Sequence, residues 1–411
     1  MRKKTDKLAI FNSQTEAKIS YSKNPEKIIV HTNSKYNKFP SYYSFNVPRN
    51  YYNIDESRFP STHIHANSNF FSQLLLNTQL NTKAISDTLI YLKYNPYIKL
   101  RLELSWLSFP ANYFNNTIQN NIEILNQIGF NIYQTAKKSS RKDKYFIAIL
   151  YKITEYKRAE SLTTNDLKVI YESLTNFNII DSVIDIDIEL KNNFYKFNEI
   201  NKKALKIFLK YNLLRFNSIY LNKDSSSEEN SFFIHPQFVR FDNLSSGQQA
   251  IINTLLGISS VISDNSLICI DEPEISLHPE WQEDIIQKLQ YVFQDIQGCH
   301  FLIATHSPQV VSGLKSNNGF IVNLEKMETY SANEYNKKSA DYQLAKLFDT
   351  PGYNNEYLIR IGLIILSKIS KREELNIDDL NNINLLKDVK RSIPENDSVY
   401  FLIEQILSLV D

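Results

Sequence analysis

Short apolar runs that end in charged or polar residues alternate along this chain with longer stretches of helical periodicity. Ser266–Ile270 is the clearest run, and it ends in two carboxylates, Asp271 and Glu272. That is the pattern of a buried parallel strand delivering acids at its C-terminal edge, the edge at which open α/β sheets bind ligands. Cys299–Ala304 has the same form and runs into Thr305, His306 and Ser307, so a histidine emerges beside the acids if the two strands are neighbours. The stretch between them is long enough for a crossover helix, predicted over Pro279–Phe293. Upstream, Leu8–Phe11, Ala17–Tyr21 and Lys27–His31 read as three short strands, with Asn24-Pro25 turning the chain before the third. Gln248–Ile262 is an amphipathic helix, and the fold class that follows is α/β.

The middle of the chain reads differently. Asn69–Tyr94 is largely helical, Tyr97–Trp106 alternates as a strand, and Asn115–Ile128 is amphipathic and stops at Gly129, a C′ residue. Tyr145–Lys152 reads as a strand, Thr164-Asn165-Asp166 caps a helix running to Leu174, and Ile184–Lys210 adds apolar, acidic and helical segments. Together Ala111–Asn222 predicts a helical arm inserted in the core, with the polar loop KDSSSEEN returning the chain to Phe232. Phe320–Leu324 is expected to close the core, and from Ser339 the pattern is mostly amphipathic helix. The expected division is a split core at 1–110 and 232–338, a helical lid or arm at 111–231, and a C-terminal partner-binding or dimerisation region at 339–411.

At 411 residues the chain can hold a core with a sizeable insertion or two to three domains. Its net charge of +1 gives no global basic field toward nucleic acid or membrane. A local cluster, Lys137, Lys138, Arg141, Lys142 and Lys144, reads as a solvated turn by default and leaves nucleic-acid backbone contact open. Cys269 and Cys299 are the two cysteines and both fall in predicted strands, which suits a reducing cytoplasm rather than a disulfide framework. No apolar run reaches the length of a membrane span. His63 and His65 lie in a Tyr-, Asn- and Pro-rich stretch that reads as a surface loop, since H-x-H without cysteine is a weak metal signal.

Three short motifs carry the chemistry, and each also has a bland reading. LSSGQQ at 244–249 starts a helix, with Ser245 or Ser246 able to cap it; DEPE at 271–274 can be a plain loop start; THSP at 305–308 can be a turn forced by Pro308. In this order and spacing the three resemble the ATP-binding cassette class of ATPases. They are most similar to its prokaryotic branch that includes the overcoming-lysogenization-defect proteins and the ATPase subunits of Septu-type and retron-associated anti-phage systems. LSSGQ resembles the cassette signature, LICIDEPE the Walker B strand, Ile275–His278 the D-loop and His306 the switch histidine, and EISLHPEWQ is especially similar to that branch. The resemblance implies a P-loop NTPase core that uses ATP and Mg²⁺. In it Asp271 holds a water on the metal, Glu272 acts as general base, His306 contacts the γ-phosphate, and Ser245, Ser246, Gly247 and Gln248 close onto nucleotide held by an opposite subunit.

The sequence departs from the family at the phosphate loop. There the third strand should lead into a glycine-rich turn ending in Lys and Ser/Thr. Here the segment is Thr32-Asn33-Ser34-Lys35-Tyr36-Asn37-Lys38-Phe39-Pro40. Lys38 stands where the motif lysine would, Thr32 and Asn37 replace the two glycines, and Phe39 replaces the hydroxyl ligand; Asn37 tolerates positive φ and can partly rescue the turn. Losing two or three charge-assisted bonds costs about 3–9 kcal/mol, roughly 10² to 10⁶ in affinity. A chain with an intact signature and a damaged loop could complete a partner's ATP site without holding ATP well in its own. The partners implied are a second cassette ATPase, in a homo- or heterodimer, and a separately encoded effector such as an HNH-type nuclease. A non-hydrolysing scaffold and an active ATPase with a degenerate loop remain alternative readings. About 90 C-terminal residues of mostly helical pattern are too few for the nuclease domain that an overcoming-lysogenization-defect protein carries.

Overall fold

The computed structural model describes residues 9–12, 15–18, 24–34, 38–40, 47–55, 81–104, 146, 163–176, 183–190, 203–205, 207–208, 214–223, 237–314 and 319–410. It is a mixed α/β fold that divides into two compact units: 1–276 with 292–304, and 277–291 with 305–411.

In the first unit, β1 (Ala9–Asn12) and β2 (Thr15–Lys18) form an antiparallel hairpin. Then come β3 (Lys27–Thr32), β4 (Tyr51–Asn53), α1 (Thr82–Tyr91), β5 (Tyr94–Leu104), α2 (Thr164–Asn176), β6 (Val183–Glu189), β7 (Leu214–Lys223), β8 (Gln237–Arg240), α3 (Ser246–Val261) and β9 (Ser266–Asp271). Strand β10 (His300–Ala304) ends the unit, while the intervening helix α4 (Pro279–Val292) falls, apart from its last residue, in the second unit. A four-stranded parallel sheet has the order β10-β9-β3-β4. The three strands expected to share a sheet do so, in a register that ends level: Thr32 and Ala304 are both opposite Asp271. Alternation along β3 sorts its side chains by face. Ile28 and Val30 pack with Tyr51, Phe39, Val47 and Cys269, while Ile29 and His31 are buried on the other face.

Helix α3 is more buried than an amphipathic surface helix, with Ile251, Ile252 and all of Thr254–Val261 inside. Its polar interior groups are satisfied locally: Ser259 Oγ lies 2.7 Å from Thr88 Oγ1 of α1 and Ser260 Oγ donates to Gly257 O at 2.7 Å. Asn81 joins the two helices, accepting from Ala84 N at the start of α1 and donating from Nδ2 to Ile262 O.

The region 111–231, expected to be a helical arm, contributes α2 but also β6 and β7. These join β5 and β8 in an antiparallel sheet of order β6-β5-β7-β8. The cause is the period-2 pattern Val-Ile-Asp-Ile-Asp-Ile-Glu of β6, which buries Ile184, Ile186 and Ile188 and turns its acids outward. There Asp185 accepts two hydrogen bonds from Arg101. Within the strand expected at Tyr145–Lys152 only Phe146 is described, and its backbone is helical. The amphipathic stretch Asn115–Ile128, the basic cluster 137–144, and His63 and His65 lie outside the described residues.

The second unit continues with α5 (Pro308–Ser312), β11 (Phe320–Asn323), β12 (Glu328–Ser331), α6 (Ala332–Tyr335), α7 (Ala340–Lys346), α8 (Glu356–Ser370), α9 (Ile377–Val389) and α10 (Ser398–Val410). Phe320–Leu324 does not extend the parallel sheet. Instead β11 pairs antiparallel with β12, because a short turn returns the chain through Met327, whose φ is +54°. Helices α8, α9 and α10 share a core of Leu358, Ile361, Ile365, Ile383, Leu386, Val399, Ile403 and Ile406. No helix among the described residues is long and apolar enough to cross a membrane.

Candidate functional site

The C-terminal edge of the parallel sheet is built by two polar segments that are stitched together. Thr32 ends β3; its Oγ1 accepts from Ser34 N at 3.0 Å and approaches Asp271 Oδ2 at 3.4 Å. Asn33 Nδ2 donates to Pro273 O at 2.9 Å. The phosphate-loop segment and the DEPE turn are thus in contact, as neighbouring parallel strands require. Asp271, expected to hold the metal, thus meets Thr32, which the sequence reading treats only as the replacement of a motif glycine.

The loop itself departs from a bare phosphate cradle in three ways. Thr32 N already donates to Asp55 Oδ2 at 2.7 Å, and Ser34 N is used by Thr32. None of residues 32–34 has positive φ, so position 32 is an extended strand end rather than a site of glycine freedom. Phe39, which occupies the place of the hydroxyl ligand, packs on Ile28, Val30 and Tyr51, and Tyr51 Oη donates to Pro40 O at 2.8 Å. Lys38 is exposed. Asn37 lies outside the described residues.

Glu272 follows β9 with φ +48°, a left-handed backbone that a glutamate adopts at a cost. Its amide donates to Ala304 O at 2.8 Å. The turn closes with Ile275 N donating to Glu272 O and with Ser276 also left-handed, at φ +70°.

At LSSGQQ the helix-start reading is realised. Ser245 is the N-cap of α3 and forms a capping box: its Oγ accepts from Gln248 N at 3.2 Å, and Gln248 Oε1 accepts from Ser245 N at 3.0 Å. Ser245, Ser246 and Gln248 are exposed, but Gly247 is buried. Of the first-turn amides of this 16-residue helix, that of Gln248 is already taken by the Ser245 cap; a helix N-terminus as such favours anions.

In the second unit His306 is exposed, two residues beyond Ala304. Its neighbour Ser307 caps α5 and lies 2.8 Å from Gln282 Oε1 of α4, to which its hydroxyl donates. Gln282 Nε2 donates in turn to Leu277 O, so the EISLHPEWQ segment braces the THSP turn.

Sequence reasoning missed His31 and Asp55. His31 is buried at 3% exposure, with Nδ1 2.7 Å from Asp55 Oδ1 and Nε2 2.8 Å from Thr254 Oγ1. The available signal was a histidine inside an apolar strand run, which requires buried partners. Both cysteines are free. Among the described residues no group of three or more His, Cys, Asp or Glu is arranged to hold a metal. Asp271 with the Thr32 hydroxyl offers two oxygen donors of the kind Mg²⁺ takes beside phosphate and water.

Residues 127–312 match the family described as "AAA domain, putative AbiEii toxin, Type IV TA system". The chain is 26% identical over 270 residues to "Retron Vc95 probable ATPase" of Vibrio cholerae serotype O1 biovar El Tor, covering 58% of this chain and 49% of that protein. It is 42% identical over 67 residues to "Retron Ec83 probable ATPase" of Escherichia coli, covering 16% of this chain and 12% of the relative. It is 28% identical over 125 residues to "Septu protein PtuA" of Bacillus mycoides (strain KBAB4), covering 29% and 16%. The matched span takes in about half of the Vibrio relative and less of the other two.

Proposed function

We propose that this chain, which is similar to an AAA domain family over residues 127–312, to retron probable ATPases and to Septu PtuA, is an ATPase-like subunit of a prokaryotic anti-phage defence complex. In this reading it dimerises through its signature segment and works with a separate effector, a nuclease of the HNH type being the leading candidate. The observation that carries the reading is the exposed, capped N-terminus of α3. Ser245 and Ser246 stand at a helix end that favours anions, while the chain's own phosphate loop has its first amides committed to Asp55 and Thr32.

ATP and Mg²⁺ are the cofactors of this reading. Asp271, with the Thr32 hydroxyl, would hold the metal; nucleotide bound with its metal supplies a phosphoanhydride whose developing charge the metal offsets. Glu272 would take the proton of the attacking water and His306 would donate to the terminal phosphate. Lys38 stands where the motif lysine would, and Phe39 offers no oxygen to a metal beside it. Affinity at this loop is therefore low, and the signature end serves a nucleotide held mainly by the opposite subunit.

The Ser246 surface tests this. Ser246→Trp should abolish ATP turnover of the complex formed with a cassette partner encoded beside this chain, while its thermal stability stays within about 0.5 kcal/mol of the parent, as for other surface changes. Unchanged turnover would show that the segment is only a helix start. Gly247→Asp is a poorer probe, because Gly247 is buried and a carboxylate there would perturb folding as well.

A further inference from the structure

A line of side chains links the start of the phosphate-loop segment to the signature helix. It runs from the Thr32 amide to Asp55 Oδ2 (2.7 Å), from Asp55 Oδ1 to His31 Nδ1 (2.7 Å) and from His31 Nε2 to Thr254 Oγ1 (2.8 Å) on α3, whose one hydroxyl hydrogen has both His31 Nε2 and Ala250 O (2.9 Å) within reach. A carboxylate oxygen only accepts, so Nδ1 carries the hydrogen that points to Asp55. The turn holding Asp55 is itself fixed, with Asp55 N donating to Asn53 Oδ1 and Ile54 N to Val30 O. Ala250 lies in the second turn of α3, directly after the turn capped by Ser245 and Gln248.

We propose that Asp55, His31 and Thr254 are positioning residues that couple the loop after β3 to the N-terminal turns of α3. Their joint effect is that an anion taken up at one segment changes the order of the other. The inference deepens the nucleotide reading given above and rests on it for its purpose. The physical grounds are local. His31 is almost completely buried between apolar neighbours, and a buried ring with a polar partner at each nitrogen has little freedom to turn. Displacing Thr32 therefore moves Asp55 against a ring that is held at its far side by α3.

The experiment is hydrogen–deuterium exchange on the full chain without nucleotide, so that it decides the coupling whether or not ATP binds. Thr254→Val keeps the side-chain shape and removes the hydroxyl; Thr254→Ser keeps the hydroxyl. Thr254→Val should speed exchange about tenfold over residues 30–34, the cost of one lost hydrogen bond, at a site whose His31 is 223 positions away in sequence. Thr254→Ser should restore the parent rate. Asp55→Asn should speed exchange over 246–250; if that variant does not fold, the Thr254 pair decides alone. Faster exchange confined to the neighbourhood of residue 254, or failure of Thr254→Ser to restore the 30–34 rate, would overturn the coupling.

Discussion

The amide of Glu272 donates to the carbonyl of Ala304 at 2.8 Å, which fixes the acid that follows Asp271 against the end of the neighbouring parallel strand. The bond is made with φ of Glu272 at +48°. A left-handed conformation costs a non-glycine residue about 1–2 kcal/mol, and strain of this kind concentrates at functional positions.

The strain gives a stability prediction. Glu272→Asn should raise the stability of the chain by up to about 1 kcal/mol, because Asn tolerates positive φ. Glu272→Gln should not, since it keeps the same backbone preference while removing the carboxylate. Chemical denaturation of the two variants checks this. Equal stability for both would mean that φ at this position is not a source of strain.

Two glycines should respond differently to alanine. At Gly313 a Cβ would meet the backbone oxygen of Glu283 in α4 at 2.0 Å, whereas at Gly257 it would meet the tip of the Ile54 side chain at 2.6 Å. A backbone carbonyl cannot swing aside as a methyl can. Gly313→Ala should therefore cost about 1–3 kcal/mol or more and Gly257→Ala clearly less, as read from denaturation midpoints.

The helical end of the chain should carry an acid-sensitive contact. The Lys368 ammonium, 2.6 Å from Asp379 Oδ2, and then the Asn376 amide hold the Asp379 carboxyl below its usual range. A carboxyl depressed in the folded state contributes stability fully above its unfolded value of about 3.9. That contribution is lost as pH falls through the lower folded value. Thermal melts should show Asp379→Asn less stable than the parent at pH 6, with the gap shrinking below about pH 4. A gap that is constant with pH would mean that the ion pair contributes nothing.

Thiol chemistry should be quiet in the native chain. Burial pushes the Cys269 thiol up to about 11 and raises Cys299 as well. Iodoacetamide at pH 8 should leave Cys269 unmodified until denaturant is added. Rapid native labelling at Cys269, read by mass spectrometry, would show that β9 is not packed as described.

Three strands of the parallel sheet were legible because each is a compact apolar run bounded by polar residues, and a run such as Leu267–Ile270 has few other places to go. Strand β4 was not, because Tyr51–Asn53 falls in the Tyr-, Asn- and Pro-rich stretch that reads as a surface loop, although it pairs with β3 and buries Tyr51 and Asn53. Helix α4 and the Ser245 cap were legible for equally local reasons. Strand β6 was not assigned, although its alternating Ile and Asp residues have the period of a half-buried strand. Its partner β5 comes from beyond the expected domain boundary, and pairing across such a distance leaves no local mark. The hairpin of β11 and β12 was missed because a short alternating run does not declare which sheet it joins. Likewise Asp55 and Thr254 meet His31 from 24 and 223 positions away, and the burial of Gly247 depends on how α3 packs.

Isothermal calorimetry of the purified chain with Mg²⁺ and ATP bears on the central claim most directly. The account predicts no micromolar site, because Thr32 N and Ser34 N already have acceptors and Phe39 belongs to the core. A micromolar site that Lys38→Ala abolishes would contradict it and show that this chain holds ATP at its own loop.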